Sequence, residues 1–182
     1  MCVDDNTKLI VRAELDSKTE VFTKRLIIAG FPGVGKSTAA INHPHLFLDM
    51  ESSDYHWIIN GDNSKICNPE WPMNYVDAIL NVANRIINDK NIPFYICIST
   101  HSEVLRELDK RCIYYVAVLP KSKDLYIQRY KDRGNDEAFI NLLNNKFDDF
   151  IKDVESSSAF CIYYTDGYLA DIYVPNDVNE EN

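Results

Sequence analysis

Gly30, Gly33 and Gly35 are three of the 6 glycines in this chain of 182 residues, and all fall in Gly30-Phe31-Pro32-Gly33-Val34-Gly35. Lys36 and Ser37 follow at once, which completes the spacing G-x-x-x-x-G-K-[ST] of a phosphate-cradling loop. Glycine has no Cβ, so the backbone can turn tightly here and aim successive N–H groups at one anion. The flanks suit that reading. Arg25-Leu26-Ile27-Ile28-Ala29 is a short apolar run of the buried-strand type, and Ser37-Thr38-Ala39-Ala40-Ile41 can open a helix. A strand fed through such a loop into a helix is the start of a βαβ unit.

The rest of the chain continues that alternation. Strands are predicted at 45–49, 93–98, 112–119 and 160–164, each a mainly apolar run. Helices are predicted from Pro72 through Tyr75, Ile79, Val82, Ile86 and Ile87, and at 102–110 with Ser102 as N-cap. Two more are predicted at 122–131 and 135–154. Between them, 51–71 reads as a long, polar, turn-rich connection. Alternating strands and helices predict an α/β fold, a three-layer α/β/α sandwich on a five-stranded, mainly parallel sheet. Ligands of such a sheet bind beyond the carboxyl ends of its strands. The chain divides into an N-terminal extension (1–24, with a possible strand at 9–15), one domain (25–174) and an acidic tail (175–182).

Composition narrows the partners. A net charge of −9 speaks against loose binding to nucleic acid or to an anionic membrane. No apolar run approaches the ~20 residues of a membrane-spanning helix. Cys2, Cys67, Cys97, Cys112 and Cys161 show no C-x-x-C pairing, as expected of free thiols in a reducing compartment, cytoplasmic or, for a viral chain, the host cytoplasm. A monomer and a homodimer are both compatible with these features.

Gly30, Gly33, Val34, Gly35, Lys36, Ser37 and Thr38 form the expected nucleotide-binding loop. There, Lys36 reaches the β- and γ-phosphates of ATP and the Ser37 hydroxyl meets Mg²⁺. Asp49 ends the second strand and either holds Mg²⁺ with Ser37, acts as base toward an acceptor hydroxyl, or merely caps a turn. Glu51 lies two residues further and can point the same way. Arg129 and Arg133, spaced i, i+4, share a helix face and repel each other unless an anion lies by them. Gly134-Asn135 then breaks the helix, so the segment could close as a lid. His101, Trp57 and Tyr75 are substrate candidates; each also has an ordinary structural reading, as a strand-end or core residue. Asn145-Lys146-Phe147-Asp148 matches N-K-x-D of guanine-binding proteins, but an apolar stripe from Phe139 to Val154 runs through it at helical spacing, so the match is a coincidence.

On the loop at 30–37, Asp49 after the second strand, and the Arg129/Arg133 pair, the chain resembles P-loop kinases of the nucleoside monophosphate kinase and shikimate kinase group over roughly 25–165. It is also similar to small phage and bacterial P-loop kinases in the patterns at 49–53, 71–75, 99–101 and 129–135. The resemblance implies a substrate flap within 51–75 and a lid around 121–135. It implies an ATP- and Mg²⁺-dependent kinase with a small-molecule acceptor, a nucleoside or nucleoside monophosphate. The substrate side departs from the group. Ser99-Thr100-His101-Ser102-Glu103 replaces the Asp-Gly-x-Pro-Arg-like run of adenylate kinases and the Asp-Arg-aromatic run of thymidylate kinases. A kinase of modified bases or of nucleic-acid ends, and a non-catalytic ATP-dependent switch, are the alternatives.

Overall fold

Leu26–Gly30 (β1) is buried from Ile27 onward, which suits a strand covered on both faces. In the computed structural model, which describes residues 23, 25–85, 93–164 and 167–174, β1 lies at the centre of a five-stranded parallel sheet. The order is β2-β5-β1-β6-β7, with β2 at Phe47–Asp49, β5 at Tyr95–Ile98, β6 at Val116–Pro120 and β7 at Phe160–Tyr164. β1 pairs with β5 (Ile28 opposite Cys97) and with β6 (Ala29 opposite Ala117). Every residue of β6 is buried. Each large apolar side chain removed from water in these strands contributes roughly 1.5–3 kcal/mol.

The helices are α1 (Lys36–Asn42), α2 (Ser53–His56), α3 (Met73–Ala83), α4 (Ser102–Lys110), α5 (Lys123–Asp132), α6 (Glu137–Glu155) and α7 (Leu169–Tyr173). From β1 the chain crosses one way to β2, and from β5 the other way to β6. Parallel crossovers are right-handed, so the two connections cover opposite faces. Accordingly α1 packs on β2 and α7, while α3, α4, α6 and α5 touch in turn. The reversal between β1 and β5 opens a crevice at their carboxyl ends. Gly30–Ser37 leaves β1 there and Ser99–His101 leaves β5 there.

Caps explain where the later helices start. Ser122 Oγ accepts the Leu125 N–H at 3.4 Å, and Asp136 Oδ1 accepts the Phe139 N–H at 2.8 Å. Among the described residues no helix is long and apolar enough to cross a membrane.

Several expectations need correction. The connection 51–71 is not structureless: it holds α2 and an antiparallel hairpin, β3 (Trp57–Ile59) with β4 (Lys65–Cys67). Three-residue strands are too short to show a period. The turn is instead built by polar contacts, with Asp62 accepting the Ser64 N–H at 2.9 Å and Asn63 at φ 63°. Pro72 and His101 occupy N-cap positions, so the helices begin at Met73 and Ser102. The fourth main strand starts at Val116 rather than at residue 112, because Cys112 turns the chain at φ 56°. The second and third start at Phe47 and Tyr95. Helix α7, not foreseen, buries Leu169 and Ile172. The extension strand at 9–15, Ile86, Ile87 and the tail from 175 lie outside the described residues.

Candidate functional site

The loop after β1 is shaped by two glycines in the left-handed region, Gly33 at φ 82° and Gly35 at φ 98°. Space is as restrictive as conformation. A Cβ on Gly33 would lie 2.6 Å from Tyr130 Cε1, and one on Gly35 2.8 Å from Tyr168 Cδ1. Gly33→Ala is therefore expected to destabilise the fold by about 1–3 kcal/mol, read as a lowered melting temperature. An unchanged melting temperature would mean that the loop relaxes freely.

Long-range bonds pin this loop. Phe31 N–H donates to Val118 O at 3.1 Å, Leu169 N–H donates to Val34 O at 2.9 Å, and the Tyr130 hydroxyl donates to Pro32 O at 2.6 Å. Val34 is fully buried and anchors the turn. Among the described residues, no acceptor takes the backbone N–H groups of Gly33, Gly35, Lys36, Ser37 or Thr38. Unpaired donors at a helix start form a concave, positively polarised surface suited to an anion.

Lys36 Nζ donates to Gly30 O at 2.8 Å. Loss of hydration lowers its pKa most, and Asp49 opposes that shift, as do Cys97 and Glu51 more weakly. Ser37 Oγ donates to Asp49 Oδ2 at 2.6 Å, although β2 and β1 are separated by β5. Asp49 Oδ1 is buried and has no hydrogen-bond partner. A hydroxyl beside a carboxylate with one unsatisfied oxygen fits a divalent cation that keeps most of its waters. Among the described residues no group of three or more His, Cys, Asp or Glu is placed to hold a metal ion. Cys97 lies beneath, its thiol pushed up to about 12, chiefly by burial, and so not a nucleophile.

A cleft of about 770 Å³ opens over the loop. Gly30, Gly33, Gly35, Lys36, Ser37, Thr38, Glu51, His101, Arg129 and Arg133, separated by up to a hundred residues in sequence, all line it. Asp49 reaches its edge through Ser37. Trp57 and Tyr75 are not among its lining residues.

The arginine pair splits in role. The Arg129 guanidinium is wedged between the rings of Tyr126 (4.8 Å) and Tyr168 (4.5 Å), and its Nη2 donates to Gly167 O at 2.8 Å. Its Nη1 is buried without a partner. Arg133 is exposed at the end of α5, just before Gly134 at φ 72°. Sequence reasoning missed Tyr168. Nothing local to Tyr168 shows that its ring lies against Gly35 of the glycine loop.

Tyr75 is fully buried. Its hydroxyl donates to Met50 O at 2.5 Å and accepts the Ser99 N–H at 3.3 Å, which ties the ends of β2 and β5 together. Tyr75→Phe is expected to cost about 1–3 kcal/mol, because two buried backbone groups lose their partner. Thermal melting checks this, and an unaltered midpoint would refute the clamp. Trp57 stacks on His56 (4.3 Å), which stacks on Trp71 (4.5 Å), and His101 meets His56 and Trp71 edge-on. Although His101 is exposed as a residue, loss of hydration around its ring is the main cause holding it below the ordinary imidazole value. Glu103 and Glu51 pull the other way. The N-K-x-D match lies within α6, where Phe147 is buried and Lys146 pairs with Asp149 at 3.1 Å.

No family model matches this chain, and no curated protein matches it. Among solved structures, an uncharacterized protein from Eubacterium ventriosum is similar at 16% identity and a TM-score of 0.40, over 80% of this chain and 91% of that one.

Proposed function

We propose that this protein is an ATP- and Mg²⁺-dependent phosphotransferase of the P-loop type, acting on a small hydroxyl acceptor, a nucleoside or nucleoside monophosphate. The observation that carries this reading is the 2.6 Å contact between Ser37 and Asp49 beside a loop of unpaired N–H groups. A phosphate-binding loop alone would fit any nucleotide binder. A carboxylate brought from another strand onto the loop's hydroxyl supplies the second half of a metal–nucleotide site.

The roles follow from position. The loop N–H groups and Lys36 hold the β- and γ-phosphates, Lys36 exchanging the Gly30 carbonyl for phosphate oxygens. That exchange favours its charged form, which burial disfavours. Ser37 and Asp49 would hold Mg²⁺, whose positive charge would offset the charge of the phosphates. Arg133 neutralises charge on the transferred group, and Arg129 joins it through its unpaired Nη1. Glu51, which lines the same cleft, orients the acceptor hydroxyl. The protein's contribution is position and electrostatics.

A screen of nucleosides and nucleotides with ATP and Mg²⁺, read as ADP formed, tests the proposal. Acceptor-dependent ADP is the expected result. ADP release that no acceptor accelerates, with a partner retained only in the presence of ATP, would replace it with the switch reading.

A further inference from the structure

The lining of the cleft carries charge of both signs. Lys36 starts α1, and Arg129 and Arg133 come from α5 and its C-terminal end. The carboxylates come from other elements: Glu51 follows β2, Glu103 lies in the first turn of α4, and Asp153 lies near the end of α6. All three carboxylates are exposed, and none forms an ion pair among the described residues. The nearest cation on α4, Arg106, does not line the cleft. It is turned onto the hydroxyl (2.8 Å) and carbonyl (3.2 Å) of Ser102.

The α6 side of the cleft is also apolar. Phe139, Leu142, Leu143 and Phe150 of α6 line it, and Leu142 is 53% exposed. Ser99 Oγ, at the end of β5, also lines the cleft and is a buried oxygen without a hydrogen-bond partner. The lining contributed by β5, α4 and α6 therefore offers a free hydroxyl, an apolar surface and negative charge.

We infer that the acceptor is an uncharged or cationic hydroxyl compound with an apolar or aromatic face, a nucleoside and not a nucleoside monophosphate, and that Glu51, Glu103 and Asp153 reject anionic acceptors. The inference rests on the phosphotransferase reading and decides between the two acceptors that reading leaves open. An acceptor phosphate placed against α4 and α6 would meet carboxylates of its own sign, and such like-charge contacts select against the wrong partner. An apolar ring would instead cover Leu142 and its neighbours, and its hydroxyl could pair with Ser99.

The test is calorimetric titration of the full chain, its loop end filled by Mg²⁺ and the non-hydrolysable β,γ-imido analogue of ATP. The ligands are purine and pyrimidine nucleosides and their 5′-monophosphates. Nucleosides are expected to bind at least about tenfold tighter than their monophosphates. A Glu103→Lys/Asp153→Lys double variant, at two exposed positions and checked for folding by thermal melting, is expected to abolish or invert that preference. A monophosphate that binds as well as its nucleoside, a preference unmoved by charge reversal, or no binding of either would overturn the inference.

ADP formation with ATP on the same acceptors separates the two proposals. ADP from monophosphates alone overturns the acceptor assignment and leaves phosphotransfer standing. Nucleosides that bind but never yield ADP overturn phosphotransfer and leave the charge selection intact.

Discussion

Lys36→Ala is expected to lower acceptor-dependent ADP formation by about 10³-fold, close to 4 kcal/mol of transition-state stabilisation, with the fold intact. The lysine is set for this effect. It leaves the loop at the start of α1, and its ammonium has one hydrogen bond, to the Gly30 carbonyl. Burial disfavours its charge more than Asp49 and Glu51 restore it. Removing it deletes that one hydrogen bond but also a charge that burial disfavours, so the two effects offset and the melting temperature should stay within a few degrees. Initial rates of ADP release with the best acceptor, alongside a thermal melt, make the measurement. A variant that retains wild-type turnover would remove Lys36 from the mechanism.

Asp49→Asn is expected to lower the same rate by about 10²-fold and to raise the Mg²⁺ concentration needed for half-maximal rate. The amide keeps the shape of the carboxylate and can still accept the Ser37 hydroxyl bond, so loss of packing would not account for the defect. A second consequence concerns pH. Asp49 is the strongest charge holding up the Lys36 pKa, which burial already depresses. Without that carboxylate the lysine loses its proton at a lower pH. ATP affinity in Asp49→Asn should thus decline with rising pH sooner than in the wild type, the protonated amine being the form that binds phosphate. Magnesium titrations of the rate and ATP titrations across alkaline pH would show both effects. An unaltered magnesium requirement would move the cation away from Asp49.

Much of the fold could be read from the sequence wherever a pattern was long and strongly periodic. β1, β7 and helices α4, α5 and α6 lie within a residue or two of their expected places, because continuous apolar runs and the stripe from Phe139 to Val154 decide their type locally. The hairpin at Trp57–Cys67 was not legible: its strands are three residues each and exposed, so no buried face imprints a period on them. Helix α7 was missed for a related reason. It is five residues long, and the bond that docks it, Leu169 N–H to Val34 O, closes over a long stretch of chain.

The same division runs through the site. The sequence alone determined the glycine loop, the lysine and hydroxyl that follow it, and the strand-end position of Asp49, since each depends on a few neighbouring residues. Tertiary structure alone decided that Asp49 meets Ser37, that Tyr75 is a buried clamp rather than a stacking surface, and that Tyr168 wedges Arg129 against the loop. It also brought Glu51, Glu103 and Asp153 to the lining of one cleft. Such neighbours are set by the order of strands in the sheet and the helix faces that pack against it, and spacing along the chain carries no record of either.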